Sequence, residues 1–183
     1  MGKAKKILVS SFLLASCVIV ERLLAIRLPF ISIGFKFIPF MFSAMLLGTK
    51  YATVIGITSD IIGRLMFPMS AFHPGFTLSA GLTGYMYGKF LYTDGELKVD
   101  GKFLLRLILC VITVTLFVNI GLNTIWVMEM TDKAATIILP IRFVKQIVMV
   151  PVQIIVMYIL SNKMKSSINS FKGIMSNDLF ERC

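Results

Sequence analysis

The residues of this 183-residue chain that could do chemistry are few, and their spacing sorts them into stripes. Asn119, Asn123 and Trp126 stand at i, i+4 and i+7; Arg142, Gln146, Met149 and Gln153 stand at i, i+4, i+7 and i+11. Each set makes one face of a helix. Asp60 and Arg64 are one helical turn apart, the spacing of an intrahelical ion pair. Glu21 and Arg22 are neighbours, Arg27 and Lys36 flank a short loop, and His73 is the only histidine. The cations Arg22, Arg27, Lys36, Arg64, Arg142 and Lys145 face only two acids, Glu21 and Asp60. Such an excess suits an anion. The carboxylates and amides can read the donors and acceptors of a heterocycle, with Trp126, Phe72 or Phe76 stacked on its face.

Other chemistries lack their residues. There is no G-x-x-x-x-G-K-[ST] loop for a nucleotide. His73 has no cysteine or acid at metal spacing and no G-x-S-x-G partner. Cys17, Cys110 and Cys183 are too scattered to form a metal site. No catalytic residue, metal or cofactor is expected; a small intramembrane enzyme using His73 as its base is the competing reading from another class. A structural subunit in which Asp60–Arg64 and its like are only internal pairs is another.

The elements that must carry these residues are apolar. Hydrophobic residues make up 57% of the chain and charged ones 15%, beyond the balance of ordinary soluble domains. The formal net charge of +10 would suit nucleic acid, but no base-reading motif accompanies it, and the excess of lysine and arginine at one side of apolar runs fits the positive-inside rule. The runs are 7–26, 35–47, 51–67, 74–92, 103–128 and 134–160. A span needs about 20 apolar residues; 35–47 is too short to cross unaided, so it leans on neighbours, or the loop before it dips into the membrane. Lys3, Lys5 and Lys6 before the first run resemble a signal peptide, but Glu21-Arg22 and no small-residue cleavage site follow, so the run is read as a retained span.

The fold expected is an all-α integral membrane protein with six transmembrane helices. It divides into a membrane domain, 1–163, and a basic tail, 164–183. Both termini then share a side with Lys3, Lys5, Lys6, Lys50, Lys98, Lys102, Lys163, Lys165, Lys172 and Arg182, while the loop 129–133 opposite carries two acids and one base. That side is cytoplasmic. On this topology every polar candidate falls in the outer half, where a charge in hydrocarbon requires a cavity or a partner.

Two stretches of small residues complete the reading. Pro74 starts a helix on which Gly75, Gly81, Gly84 and Gly88 leave one face almost bare, suited to close helix packing. Ser11 and Ala15, at i, i+4 in the cytoplasmic half of the first span, fit either internal packing or a partner's helix.

Arg27-x-Pro29-x-Ile31-Ser32-Ile33-Gly34-Phe35-x-Phe37-Ile38-Pro39, the run from Phe72-His73-Pro74-Gly75 to Gly84, and the six-span, basic-tailed layout resemble the folate-specific substrate-binding subunits of energy-coupling factor (ECF) vitamin transporters. The resemblance covers the chain up to the tail. It implies capture of folate from outside, at the cell membrane, by a multi-pass subunit without an ATPase site of its own. It implies as partners a transmembrane coupling protein and two cytoplasmic ATPases, with the binding subunit toppling to release its cargo inward. It also implies that Ser11 and Ala15 dock the coupling protein, Ser11 replacing the usual alanine. Among the ligand candidates Arg22, Arg64 or Arg142 would take folate's carboxylates, and Glu21, Asp60 or Asn123 the pterin, with Arg27, Phe72, His73, Phe76, Asn119, Trp126 and Gln146 around them. A subunit of the same kind for another anionic vitamin is the alternative.

Overall fold

The computed structural model describes residues 3–23, 25–27, 32–67, 73–93, 95–131 and 135–177. Helices dominate them. α1 is Lys3–Leu23, α2 Phe37–Leu47, α3 Thr49–Met66 and α4 Pro74–Leu91. α5, Gly101–Thr113, runs through a π-helical segment, Val114–Leu122, into α6, Asn123–Thr131. α7, Ala135–Lys163, and α8, Lys165–Asn177, follow. Between α1 and α2 the two-residue strands β1, Ile26–Arg27, and β2, Ser32–Ile33, pair antiparallel, Arg27 opposite Ser32.

The boundaries have local causes. His73 caps α4, its Nδ1 accepting from the Gly75 N–H at 3.1 Å, and Pro74 takes the first helical position, where a missing donor costs nothing. Asp100 caps α5, its Oδ1 accepting from the Phe103 N–H at 3.0 Å. Gly48, at φ +84°, turns α2 directly into α3 in a backbone region that side chains disfavour. The span 103–128 was expected as one regular helix; the π-helical segment within it is a departure that hydrophobic periodicity does not reveal, and such segments gather at functional sites.

Large apolar side chains point outward all round: Leu8, Phe12, Leu65, Phe117, Phe143 and Ile147 are each more than half exposed. An exposed apolar surface of this extent fits lipid as the solvent. Two helical stretches, Gly101–Met130 and Leu139–Lys163, are long and apolar enough to cross a membrane. α2 has 11 residues, short as expected, and buries Phe40, Met41, Ala44 and Met45 against the rest of the bundle.

The glycine face of α4 packs onto α3 backbone to backbone. A Cβ at Gly84 would lie 2.2 Å from the Ala52 carbonyl oxygen, and one at Gly88 2.4 Å from the Thr49 Cα. α3 answers with Gly56, where a Cβ would lie 2.5 Å from the Ala80 carbonyl oxygen. At the other end of the bundle from His73, residues expected only as a basic tail form α8, which folds back. Ile168 is 2% exposed. Asn169 accepts from the Leu97 N–H at 2.6 Å and donates to the Leu97 carbonyl at 3.2 Å, and Lys172 Nζ donates to the Thr93 and Gly95 carbonyls at 2.8 and 3.2 Å.

Gly84→Ala is expected to destabilise the protein by about 1–3 kcal/mol, the cost of overpacking. Gly173→Ala, on α8 with nothing within 4 Å of the new Cβ, should be neutral or stabilising by up to ~1 kcal/mol. Thermal unfolding of the detergent-purified protein checks both; equal midpoints for the two variants would remove the seam from the account of stability.

Candidate ligand site

The polar candidates gather at one end of the bundle: the C-terminal ends of α1 and α3, the N-terminal ends of α2 and α4, and the stretch where the π segment and α6 meet α7. Successive helices alternate in direction, which brings these ends together.

On one side the groups are paired. Asp60, 3% exposed on α3, accepts through one oxygen, Oδ2, from Arg64 Nε at 2.9 Å and from the Thr77 hydroxyl at 2.7 Å. That carboxylate joins α3 to α4. The Arg64 guanidinium carbon stands 5.0 Å from the centre of the Phe76 ring, a cation–π distance. Arg22 reaches from α1 to Gly63 of α3, where a Cβ would lie 2.7 Å from its Nε, so that glycine makes room for the guanidinium. Lys36, ahead of α2, pairs with Glu21 of α1 at 2.5 Å and stands over the Phe40 ring.

Trp126 of α6 lies flat on the start of α4. A Cβ at Gly75 would come within 2.3 Å of the indole Cδ2. The indole Nε1–H donates to Ser79 Oγ at 3.1 Å. His73 sits against it with ring centres 5.1 Å apart and planes tilted by 33°, and meets Phe76 edge-on at 6.1 Å. The other imidazole nitrogen, Nε2, is 2.8 Å from Glu129 Oε2.

The α6–α7 side differs. Arg142 Nη1 donates to the Asn119 carbonyl at 3.2 Å, joining α7 to the π segment. Yet Arg142 Nε, Asn123 Oδ1, Thr124 Oγ1, Thr115 Oγ1 and Gln146 Oε1 are buried with no hydrogen-bonding partner among the described residues. Unsatisfied buried groups of this kind are costly and uncommon, and five of them lie on these neighbouring segments. Thr115 and Gln146 also line a groove of about 250 Å³ whose other walls, Ile112, Leu116, Phe143 and Ile147 among them, are apolar.

The structure thus brings together Asp60, Arg64 and Phe76 on one wall and Asn119, Asn123, Arg142 and Gln146 on another, with His73 and Trp126 at the α4–α6 seam. Glu21 and Arg22 lie at the α1 end of the same belt. The Arg27 side chain and Phe72 lie outside the described residues. Ser11 and Ala15 are both exposed on α1, beside exposed Leu8 and Phe12. Sequence reasoning missed Thr77, Ser79, Thr115, Thr124 and Glu129. Glu129 is three residues beyond Trp126 and Thr115 four before Asn119, so the helical stripe extended one step each way would have found them; the threonine and serine of α4 carried no such signal.

A bundle with apolar side chains facing outward and a polar, partly unsatisfied belt at one end defines a membrane-embedded binder of a small polar molecule. The profile of the ECF-type riboflavin transporter S component matches residues 1–166, and the chain belongs to that family of transporter substrate-binding components. It is 39% identical to the folate transporter FolT of Clostridium novyi over 158 residues, 86% of this chain and 88% of that one. It is 30% identical to the folate transporter FolT of Leuconostoc mesenteroides over 138 residues, 72% of this chain and 71% of that one. Among solved structures it is similar to FolT crystallised with folic acid, with a TM-score of 0.79 and 34% identity over 87% of this chain and 93% of that one. The family is one of transport components rather than enzymes, so His73 as a catalytic base finds no support.

Thr77→Val keeps the shape of the side chain and removes the donor to Asp60. It should lower the stability of the ligand-free protein by about 1.5–3 kcal/mol, the net worth of one hydrogen bond to a charged acceptor that keeps its bond from Arg64, read as the unfolding midpoint. An unchanged midpoint would mean that this link between α3 and α4 contributes nothing.

Proposed function

We propose that this chain captures folate from the extracellular side as the substrate-specific subunit of an ECF-type transporter. The observation that carries the reading is the likeness, over most of both chains, to a FolT structure holding folic acid. The site chemistry agrees with it. Folate's glutamate is a dianion and its pterin a flat ring edged with adjacent donors and acceptors. Arg142, with Nε unsatisfied, and Arg64, held over Phe76, are the cations proposed for the carboxylates, and Arg22 and Arg27 are proposed as further cations of the site. Asn123 Oδ1 and Gln146 Oε1 are acceptors without donors, suited to pterin N–H groups. Glu21, Asp60 and Asn119 complete the polar belt, and Trp126, Phe76 and Phe72 are the rings proposed to stack on the pterin.

The surrounding biology is proposed with it. Six spans place both termini in the cytoplasm of a multi-pass cell-membrane protein, with residues 1–163 as the membrane domain and 164–183 on the cytoplasmic side. No ATPase motif accompanies the fold, so energy would come from a separate coupling protein and two ATPases. Ser11 and Ala15, exposed on α1 among apolar side chains, form the surface proposed for the coupling protein. The riboflavin description of the family profile makes a flavin the second reading.

Calorimetric titration of the purified protein should give saturable binding of folate at one site. Arg142→Gln should weaken it by about tenfold or more, the loss of one charge-assisted hydrogen bond. Saturation by riboflavin and none by folate would replace the first reading with the second. Ser11→Leu with Ala15→Leu should abolish co-purification with a coupling protein while leaving folate affinity unchanged; loss of affinity instead would place these residues in the binding fold.

A further inference from the structure

His73 has no ring nitrogen left for a ligand. Nδ1 lies 3.1 Å from the Gly75 nitrogen. A backbone N–H can only donate, so Nδ1 accepts and carries no proton. The ring proton is therefore on Nε2, which donates to Glu129 Oε2 at 2.8 Å. Both partners belong to the protein. What the imidazole does offer is a face, and that face meets Trp126 at 5.1 Å between ring centres.

Trp126 is held from three directions. Gly75 lies under the ring, Ser79 accepts from its Nε1–H, and His73 lies beside it. Glu129 stands three residues beyond Trp126 on α6, one turn along the same face. The His73–Glu129 bond thus ties α6 to the cap of α4 next to the indole. The Glu129 side chain is 54% exposed, and a pair so open to solvent adds little to stability. Its consequence is geometric: it fixes the angle at which α6 presents Trp126.

We propose that His73 is a positioning residue, setting the orientation of Trp126 through Glu129 and Gly75, and that it does not itself touch the ligand. The inference rests on the reading of Trp126 as a stacking surface in the folate site. It assigns a role to Glu129, which neither the stripes of the sequence nor the charge pattern had brought into the site. Because positioning acts through a shared partner, the two residues must be energetically coupled.

Trp126 is the only tryptophan of the chain, so the fluorescence of the protein reports this ring directly. Three variants separate the alternatives. His73→Asn keeps an acceptor for the Gly75 N–H, since Asn is a favoured cap, but is too short to bridge to Glu129. Glu129→Ala removes the partner and leaves His73 in place. Glu129→Gln keeps an acceptor for Nε2. In the ligand-free protein, His73→Asn and Glu129→Ala should shift Trp126 emission alike, the double variant should shift it no further, and Glu129→Gln should restore the parent spectrum. Folate affinity should follow the same pattern, falling about tenfold in either single variant and no more in the double. Emission and affinity unchanged in Glu129→Ala while His73→Asn loses affinity would overturn the proposal in favour of direct ligand contact. Additive shifts in the double variant would overturn it as well. If the parent protein fails to bind folate, the functional reading falls, and the ligand-free emission of the three variants still decides whether His73 positions Trp126.

Discussion

The backbone contact between α3 and α4 is the constraint on which the site depends. Helices with ordinary side chains between them stand about 8–10 Å apart. Here Gly56, Gly84 and Gly88 remove the side chains, and a single added Cβ would meet a backbone atom of the other helix. Only at such an approach does a side chain as short as Thr77 reach across to Asp60. That reach matters because an acid in an apolar bundle is tolerable only when charge and hydrogen bonds around it are complete. Arg64 supplies the charge and Thr77 the second donor on the same oxygen. The seam therefore fixes the start of α4, and with it Gly75, Phe76 and Ser79, the residues against which Trp126 and Arg64 are placed.

The polar end is asymmetric in a way that follows from this. Along α3 and α4, Asp60, Thr77 and Ser79 all have partners within the protein. Along the π segment, α6 and α7, Thr115, Thr124, Asn123, Arg142 and Gln146 each keep a buried atom with bonding capacity to spare. A wall that has already satisfied itself can shape a site but gains little from a polar ligand. A wall with unmet donors and acceptors gains the full difference between unmet and met groups. On the proposed reading directional recognition falls mainly to the α6–α7 side, with the α3–α4 side, Arg64 included, as its preorganised counterpart. The opposite end of the bundle is closed by other means: apolar packing around Tyr87, Leu107 and Met157, and the polar bonds of α8 to residues 93–97.

Most of this was legible in the sequence at the level of helices and faces, because apolar runs and small-residue spacing are local and repeat along the chain. The proline start of α4, its bare glycine face, the shortness of α2 and the clustering of the polar residues at one end of the bundle all follow from such patterns. Three features did not. The π segment alters the turn within an unbroken apolar run, so the stripe from Asn119 to Trp126 kept its spacing on paper while its geometry changed. α8 looked like a polar tail because its stabilisation comes from Asn169 and Lys172 binding the backbone of residues distant in sequence. Asp60 was read as a ligand contact, with an internal ion pair as the alternative; its pairing with Arg64 was foreseeable from spacing, but the Thr77 bond depends on how closely two helices approach, which only the fold decides.

The distinction between a flavin and a folate turns on the same division of labour. Both ligands present a flat, nitrogen-rich ring, so a stacking surface such as Trp126 on Gly75 serves either and says little about which is bound. They differ at the far end: riboflavin ends in a neutral polyol, folate in two carboxylates. A neutral chain gains little from a buried guanidinium that lacks a counter-charge and leaves its desolvation uncompensated, whereas a dianion offsets it. Arg64 already has its counter-charge in Asp60, whereas on the α7 wall no acid among the described residues is bonded to Arg142, which donates to the Asn119 backbone carbonyl. On the proposed reading, Arg142 favours the dianionic tail over the polyol, while the hydroxyls and amides of the same wall, Thr115, Thr124, Asn123 and Gln146, serve either ligand.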